Sequence, residues 1–61
     1  MNKVVEILIE RDKMIKDEAV RLLIETREEI YEAMDAGEID CVEDILMDNL
    51  GLEMDYLFDI L

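Results

Sequence analysis

The sequence predicts an all-α fold, a compact bundle of three to four short helices in one domain that spans residues 1–61. Three observations favour this class. The chain has no proline, its two glycines divide the second half at Gly37 and Gly51, and apolar residues recur three and four positions apart. At 61 residues a bundle buries only about 60% of the surface of the unfolded chain, so we expect a thin core.

The first helix is predicted over residues 2–12, where apolar side chains occur nearly all round the helix. Such a helix is either deeply buried in its own chain or packed against a second chain. The single cysteine allows no internal disulfide, so self-association is one source of the missing stability. If the chain forms a homo-oligomer, we expect the seam to consist of four residues of this helix. These are Val4, Val5, Leu8 and Ile9.

The second helix is predicted from Lys16 to about Ala36. Acids at positions 17 and 18 suit the positive end of a helix, and Gly37 supplies a left-handed residue that ends it. Met14 and Ile15, which precede it, offer no side-chain cap. The residues predicted to face the core share helical spacing. They are Ala19, Leu22, Leu23, Thr26, Ile30 and Ala33.

The third helix is predicted to begin with a capping box, in which Asp40 caps the N-terminus and Glu43 completes the box. Gly51 ends this helix, and Leu52 is expected to fold back onto Met47. The predicted core face follows helical spacing. It consists of Val42, Ile45, Leu46, Asn49 and Leu50.

The last helix is predicted over residues 53–61. It is too short to persist alone, so it has to dock on the rest of the domain. Its docking face is expected to consist of apolar residues at spacings of three, four and seven. They are Met54, Leu57, Phe58 and Leu61.

No motif indicates catalysis, and we expect a protein that is not an enzyme and has no cofactor and no metal. Cys41 has no histidine partner because the chain contains none, which excludes thiol–imidazole chemistry. We interpret Cys41 as a small packing residue, although its place in a first helical turn favours a lowered pKa. A calcium loop starting at Asp35 fails because Leu46 stands where a bidentate glutamate belongs.

The apolar opening of the chain is interrupted by Glu6 and is too short to span a bilayer, so we expect no membrane association. The lone free cysteine suits a reducing compartment. The sequence therefore predicts a cytoplasmic protein.

Charge is distributed unevenly along the chain. All six basic residues lie in the first 27 positions together with six acids, whereas residues 28–61 hold twelve acids and no base, which accounts for the net charge of −12. Direct binding to nucleic acid is not expected, because phosphates would be repelled. Acids also stand four apart or in last helical turns, where they oppose helix stability, and no internal compensation is evident. Local conflicts of this kind tend to mark function.

The charge pattern predicts a small protein-binding module whose acidic surface docks on a basic protein surface. About one charge per 4 Å of helix axis is close to the 3.4 Å phosphate spacing of one DNA strand, so a nucleic-acid mimic is consistent with the sequence. The alternative is a structural or assembly protein, a helical homo-oligomer whose acids only solvate it. The predicted partner-binding residues are Glu28, Glu29, Glu32, Asp35, Glu38, Asp40, Glu43, Asp44 and Asp48.

Two segments, RDKM at residues 11–14 with DEA at 17–19, and LGLEMDY at 50–56, resemble those of short acidic orphan proteins of bacteriophages and prophages. This chain differs at Lys13 and Ile15, where such sequences are expected to have glycine and threonine. The resemblance implies an inhibitor that occupies the nucleic-acid channel of a host defence enzyme. No functional residue carries over from it.

Overall fold

The computed structural model describes residues 2–61. The helices are α1 (Lys3–Arg11), α2 (Lys16–Asp35), α3 (Asp40–Leu50) and α4 (Leu57–Ile60), and a 3-10 turn (Met54–Tyr56) leads into α4. Residues 2–61 contain no strand. The predicted all-α bundle is confirmed.

The long helix α2 organises the fold. Its 20 residues span about 30 Å, close to the 33 Å length of the molecule. Both α1 and α3 pack against α2, and the four-residue loops that join them to it make each run roughly antiparallel to it. Beyond the reach of α1, the second half of α2 therefore forms a two-helix hairpin with α3.

The core draws on every helix and on the loop after α3. Thr26 is fully buried with the apolar residues, and its hydroxyl accepts a hydrogen bond from Asn49 Nδ2 at 3.3 Å. The predicted core face of α2 is confirmed except for Leu22, which is half-buried. The buried apolar residues are Val4, Val5, Leu8, Ala19, Leu23, Ile30, Ala33, Val42, Leu46, Leu50, Leu52 and Ile60.

The apolar residues of α1 serve the interior of the single chain. Val4, Val5 and Leu8 are buried, and Ile9 is partly buried against the same core. Burial within the chain, one of the two alternatives for this helix, is what the structure shows. These three buried side chains have almost no exposed surface left with which to form a seam between copies.

Two helices end in the same way although only one has a glycine there. Lys13 after α1 and Gly51 after α3 have φ of 60° and 64°. The residue after each donates its N–H to a carbonyl six positions back, Met14 to Leu8 and Leu52 to Leu46, both at 3.3 Å. Lys13 therefore holds a left-handed conformation that disfavours an L side chain. The glycine expected from the phage resemblance is missing at a position where the backbone favours one.

The predicted capping box is wrong. Asp40 is the first helical residue of α3, and the residue before it, Ile39, already has helical angles and makes no side-chain cap. A capping side chain needs extended backbone at its own residue, which Asp40 does not have. Asp40 and Glu43 lie instead in the first turn, where they favour the helix dipole. A true side-chain cap starts α1, where Asn2 Oδ1 accepts from the N–H of Val4 at 2.7 Å.

The predicted docking face of the last helix is wrong except at Leu57, which is partly buried against the core. Ile60 is fully buried, whereas Phe58 is exposed. The 3-10 turn has three residues per turn instead of 3.6, and this rotates the following side chains away from the face that continuous α-helical spacing predicts. Leu52 is buried in the core, but Met47 is exposed, so the expected contact between them does not anchor the segment.

The left-handed residue at position 13 gives a stability prediction. Lys13→Gly removes backbone strain and should raise the free energy of unfolding by about 1 kcal/mol, measured by urea denaturation. Lys13→Ala is the matched control, because it removes the same charge but keeps the Cβ. Equal stability of the two variants would contradict strain at this position.

Gly51→Ala should act in the opposite direction in the same assay. A Cβ there would lie 3.4 Å from Arg11 Nη2 and would adopt φ of 64°, so we expect a loss of about 1–2 kcal/mol. An unchanged urea midpoint would show that this helix end tolerates a side chain.

Candidate protein-binding surface

The nine predicted partner-binding residues all lie in residues 28–48, which we call the acidic hairpin. This segment comprises the second half of α2, the turn at Gly37 and most of α3. All nine carboxylates are exposed, and the segment contains no Lys or Arg. The segment therefore carries nine negative charges and no positive charge, and Arg27, which directly precedes it, donates to the carbonyl of Ile60.

A groove of about 620 Å³ runs between α2 and α3 on one side of the acidic hairpin. Four of the nine predicted acids line it, namely Glu29, Glu32, Glu38 and Asp48. Between them lie smaller or apolar side chains and one amide. These are Ala33, Ala36, Cys41, Ile45 and Asn49.

The other five acids lie outside the groove. On α2, Glu28 and Asp35 are rotated away from it by helical periodicity, since neighbouring residues are about 100° apart. On α3, three acids do not line the groove, although two of them, Asp40 and Asp44, lie near Cys41 on its wall. The third is Glu43. The nine residues thus surround the hairpin on several sides instead of forming one flat surface.

Asn49 links the groove to the core, a role that helical spacing alone does not specify. It is half-buried, and its Nδ2 donates to Thr26 Oγ1 and to Glu29 Oε2. Its position on the inner face of α3 was predicted correctly. The bond to Glu29 fixes one rim carboxylate of the groove, so Glu29 has a structural contact as well as a place on the surface.

The C-terminal carbonyl groups of α3, unlike its acidic side chains, have a cation beside them, which the sequence interpretation did not identify. The Arg11 guanidinium donates to the carbonyl oxygens of Leu50 and Gly51, the latter at 3.2 Å. It also pairs with Asp12 at 2.9 Å, and this hydrogen bond lowers the pKa of Asp12 and raises the pKa of Arg11. A cation at a helix C-terminus is favourable, and here it comes from α1 rather than from α3.

Carbonyl oxygens near the C-terminal end also accept hydrogen bonds from side chains that are distant in sequence. Arg27 Nε donates to the carbonyl of Ile60 at 2.7 Å, and Asn2 Nδ2 donates to the carbonyl of Asp59 at 2.6 Å. Within residues 2–61 the one ion pair joins Arg11 and Asp12. Arg11 and Arg27 therefore bind main-chain carbonyls at helix ends, and no acid of the hairpin forms an ion pair within residues 2–61.

Cys41 differs from both of its sequence interpretations. It is exposed on the groove wall instead of packed, and its Sγ lies 3.8 Å from Glu38 Oε2. Partial desolvation is the largest of the effects that raise the pKa of the thiol. Nearby carboxylates raise it further, namely those of Glu38, Asp44 and Asp40. Desolvation and the neighbouring carboxylates both disfavour the charged form, so this environment disfavours an activated thiolate.

The acids do not converge into an ion-binding cluster. In the part of the chain that the structure describes, no three Asp, Glu or Cys side chains come together in a way that could hold a metal ion. Over the same residues, none of the helices has the length and apolar character needed to cross a bilayer.

The hydrogen bonds from Arg11 to the end of α3 give a further prediction for stability. Arg11→Met keeps the aliphatic stem but removes every donor to the α3 carbonyls, so the urea midpoint should fall. Arg21→Met is the matched control, since Arg21 is exposed and lies in the same half of the chain. Equal midpoints for the two variants would show that the guanidinium does not stabilise the fold.

The raised pKa of Cys41 gives a prediction for the reactivity of the thiol. Alkylation by neutral iodoacetamide should reach half its maximal rate at higher pH in the folded protein than in the chain unfolded in urea, because the thiolate forms later. Glu38→Gln should move the folded profile toward lower pH by removing one neighbouring charge. A folded profile at or below the unfolded one would contradict the electrostatic environment described for the thiol.

Comparison with known proteins gives no relative from which a role could be transferred. Neither a protein-family model nor a curated protein nor a solved structure matches this chain.

Proposed function

We propose that this chain is a small acidic protein-binding module whose acidic hairpin docks on a basic surface of a partner protein. One observation carries the proposal. Nine exposed carboxylates stand on residues 28–48 with no Lys or Arg in that segment, while Arg11 and Arg27 are engaged by main-chain carbonyls elsewhere. These two arginines hold helix ends, and the charge of the hairpin is left for a partner.

The arrangement exceeds what solubility requires. A net charge of magnitude about 2–8 with mixed signs is sufficient for a small domain, whereas this chain carries −12. Within the hairpin, Glu28 with Glu32 and Asp44 with Asp48 are like charges four apart on exposed helix faces, and each pair costs a few tenths of a kcal/mol. Lys and Arg side chains of a partner would turn this repulsion into attraction.

The distribution of the acids favours a concave partner surface. Four carboxylates line the groove and five lie on other sides of the same hairpin. A flat basic surface would reach only one of these sides. A cleft lined by Lys and Arg, such as a nucleic-acid-binding channel, would contact several at once. The resemblance to small acidic phage proteins supports this form of the proposal, an inhibitor that occupies the nucleic-acid-binding surface of a host protein.

Salt dependence tests the proposal with four substitutions. Capture of partners from host lysate should be strong at low salt and weak at high salt, because exposed charges act mainly through screened, long-range attraction. A variant with four substitutions should capture the partner at least tenfold more weakly. The substitutions are Glu28→Gln, Glu32→Gln, Asp44→Asn and Asp48→Asn. Added DNA should release a partner held through a nucleic-acid-binding surface.

The matched control neutralises four acids in the other half of the chain. They are Glu6, Glu10, Glu18 and Glu25. These substitutions remove the same charge but should leave capture nearly unchanged. The hairpin variant should also melt at a higher temperature than the wild type, because like-charge pairs are relieved. An acidic strongest partner, capture indifferent to salt, or equal losses in both variants would refute the docking role of the hairpin.

A further inference from the structure

Phe58, the single phenylalanine of the chain, is 87% exposed. Leu61, three positions later and directly after α4, keeps 40% of its surface exposed, and Met54 in the preceding 3-10 turn keeps 37%. Scattered exposed apolar residues are ordinary, but an aromatic ring with neighbours of this kind in one eight-residue segment is characteristic of a contact surface. We call these three residues the C-terminal apolar face.

The segment that carries this face is held firmly by its other side. Ile60 is fully buried, and Tyr56 and Leu57 pack partly against the core. Asn2 and Arg27 bind its last carbonyl oxygens. Phe58 is therefore presented on an anchored element, and little conformational entropy remains to be lost when the ring is buried by a partner.

Charge indicates what covers the face. The segment around Phe58 carries three acids, namely Glu53, Asp55 and Asp59. They outnumber the two bases that contact it, Lys3 over the Tyr56 ring and Arg27 at the Ile60 carbonyl. A second copy of the chain would bring another net charge of −12, which opposes association through a surface that is itself acidic. A protein with an apolar pocket rimmed by Lys or Arg complements both the ring and its flanking carboxylates.

We propose that Phe58 is an anchor residue that inserts into an apolar pocket with a basic rim on the partner protein. The inference deepens the proposed function, on which it rests for the basic character of the partner. Exposed charges mainly accelerate encounter, whereas a buried aromatic anchor mainly slows dissociation. The acidic hairpin and Phe58 therefore have separable effects on binding.

Site-specific photo-crosslinking tests the contact in the full-length chain. p-Benzoylphenylalanine replaces Phe58 in one variant and Ile15, which is 64% exposed in the neutral half, in the control. We expect crosslinks from position 58 to one protein, at an apolar site with Lys or Arg beside it, and few from position 15. Equal yields, a crosslink between two copies of this chain, or an attached site without basic residues would overturn the inference.

The crosslinked protein, once purified, allows a quantitative test. Phe58→Ala should weaken its affinity at least about tenfold at both low and high salt, mainly through faster dissociation. Its melting temperature should equal that of the wild type, because the ring is exposed. Phe58→Leu should recover part of the affinity.

The two proposals fail in different ways. If Phe58→Ala binds within twofold of the wild type while the hairpin variant loses its salt-dependent affinity, the anchor is refuted and the acidic docking surface stands. If the hairpin variant binds normally and Phe58→Ala does not, the anchor residue stands without the acidic surface.

Discussion

The contact of Arg11 with the end of α3 is the constraint on which much of the architecture depends. Its guanidinium reaches the carbonyls of Leu50 and Gly51, so the last residue of α1 is tied to the last turn of α3. Both helices already pack on α2, and this third link closes the end of the bundle. It also supplies the cation that the acidic last turn of α3 lacks. In a domain with so thin a core, such a link fixes where the final segment begins.

Helical spacing predicted most of the fold, because burial of α2 follows 3.6-residue periodicity along its whole length. Ala19, Leu23, Thr26 and Ile30 lie on one face, as the pattern requires. The sequence pattern could not reveal where the backbone departs from that period. A single 3-10 turn at Met54–Tyr56 was enough to change which side of the last helix is buried.

The bounds of the first three helices were predicted to within one residue, but the contacts at the helix ends were not, because their partners are distant in sequence. The Arg11 contact joins residues 39 and 40 positions apart, and the bond from Arg27 to Ile60 spans 33. No local motif encodes either one. The capping box at Asp40 failed for the complementary reason, since a matching motif does not ensure the extended backbone that a cap requires. The nine acids were identified from composition, but only the structure distinguishes those that line the groove.

The fold separates the residues that stabilise it from those available to a partner. The cations that make contacts act at the helix ends, where Arg11 and Arg27 bind main-chain carbonyls. The acidic hairpin is held by apolar residues between its helices, including Ile30, Val42 and Leu46, and needs few of its carboxylates for packing, Glu29 being the exception through Asn49. Surface charge on the hairpin can therefore change with little effect on the core. Because like charges four apart on the hairpin repel one another in the free protein, the chain carries a cost in stability that a cationic partner would reduce.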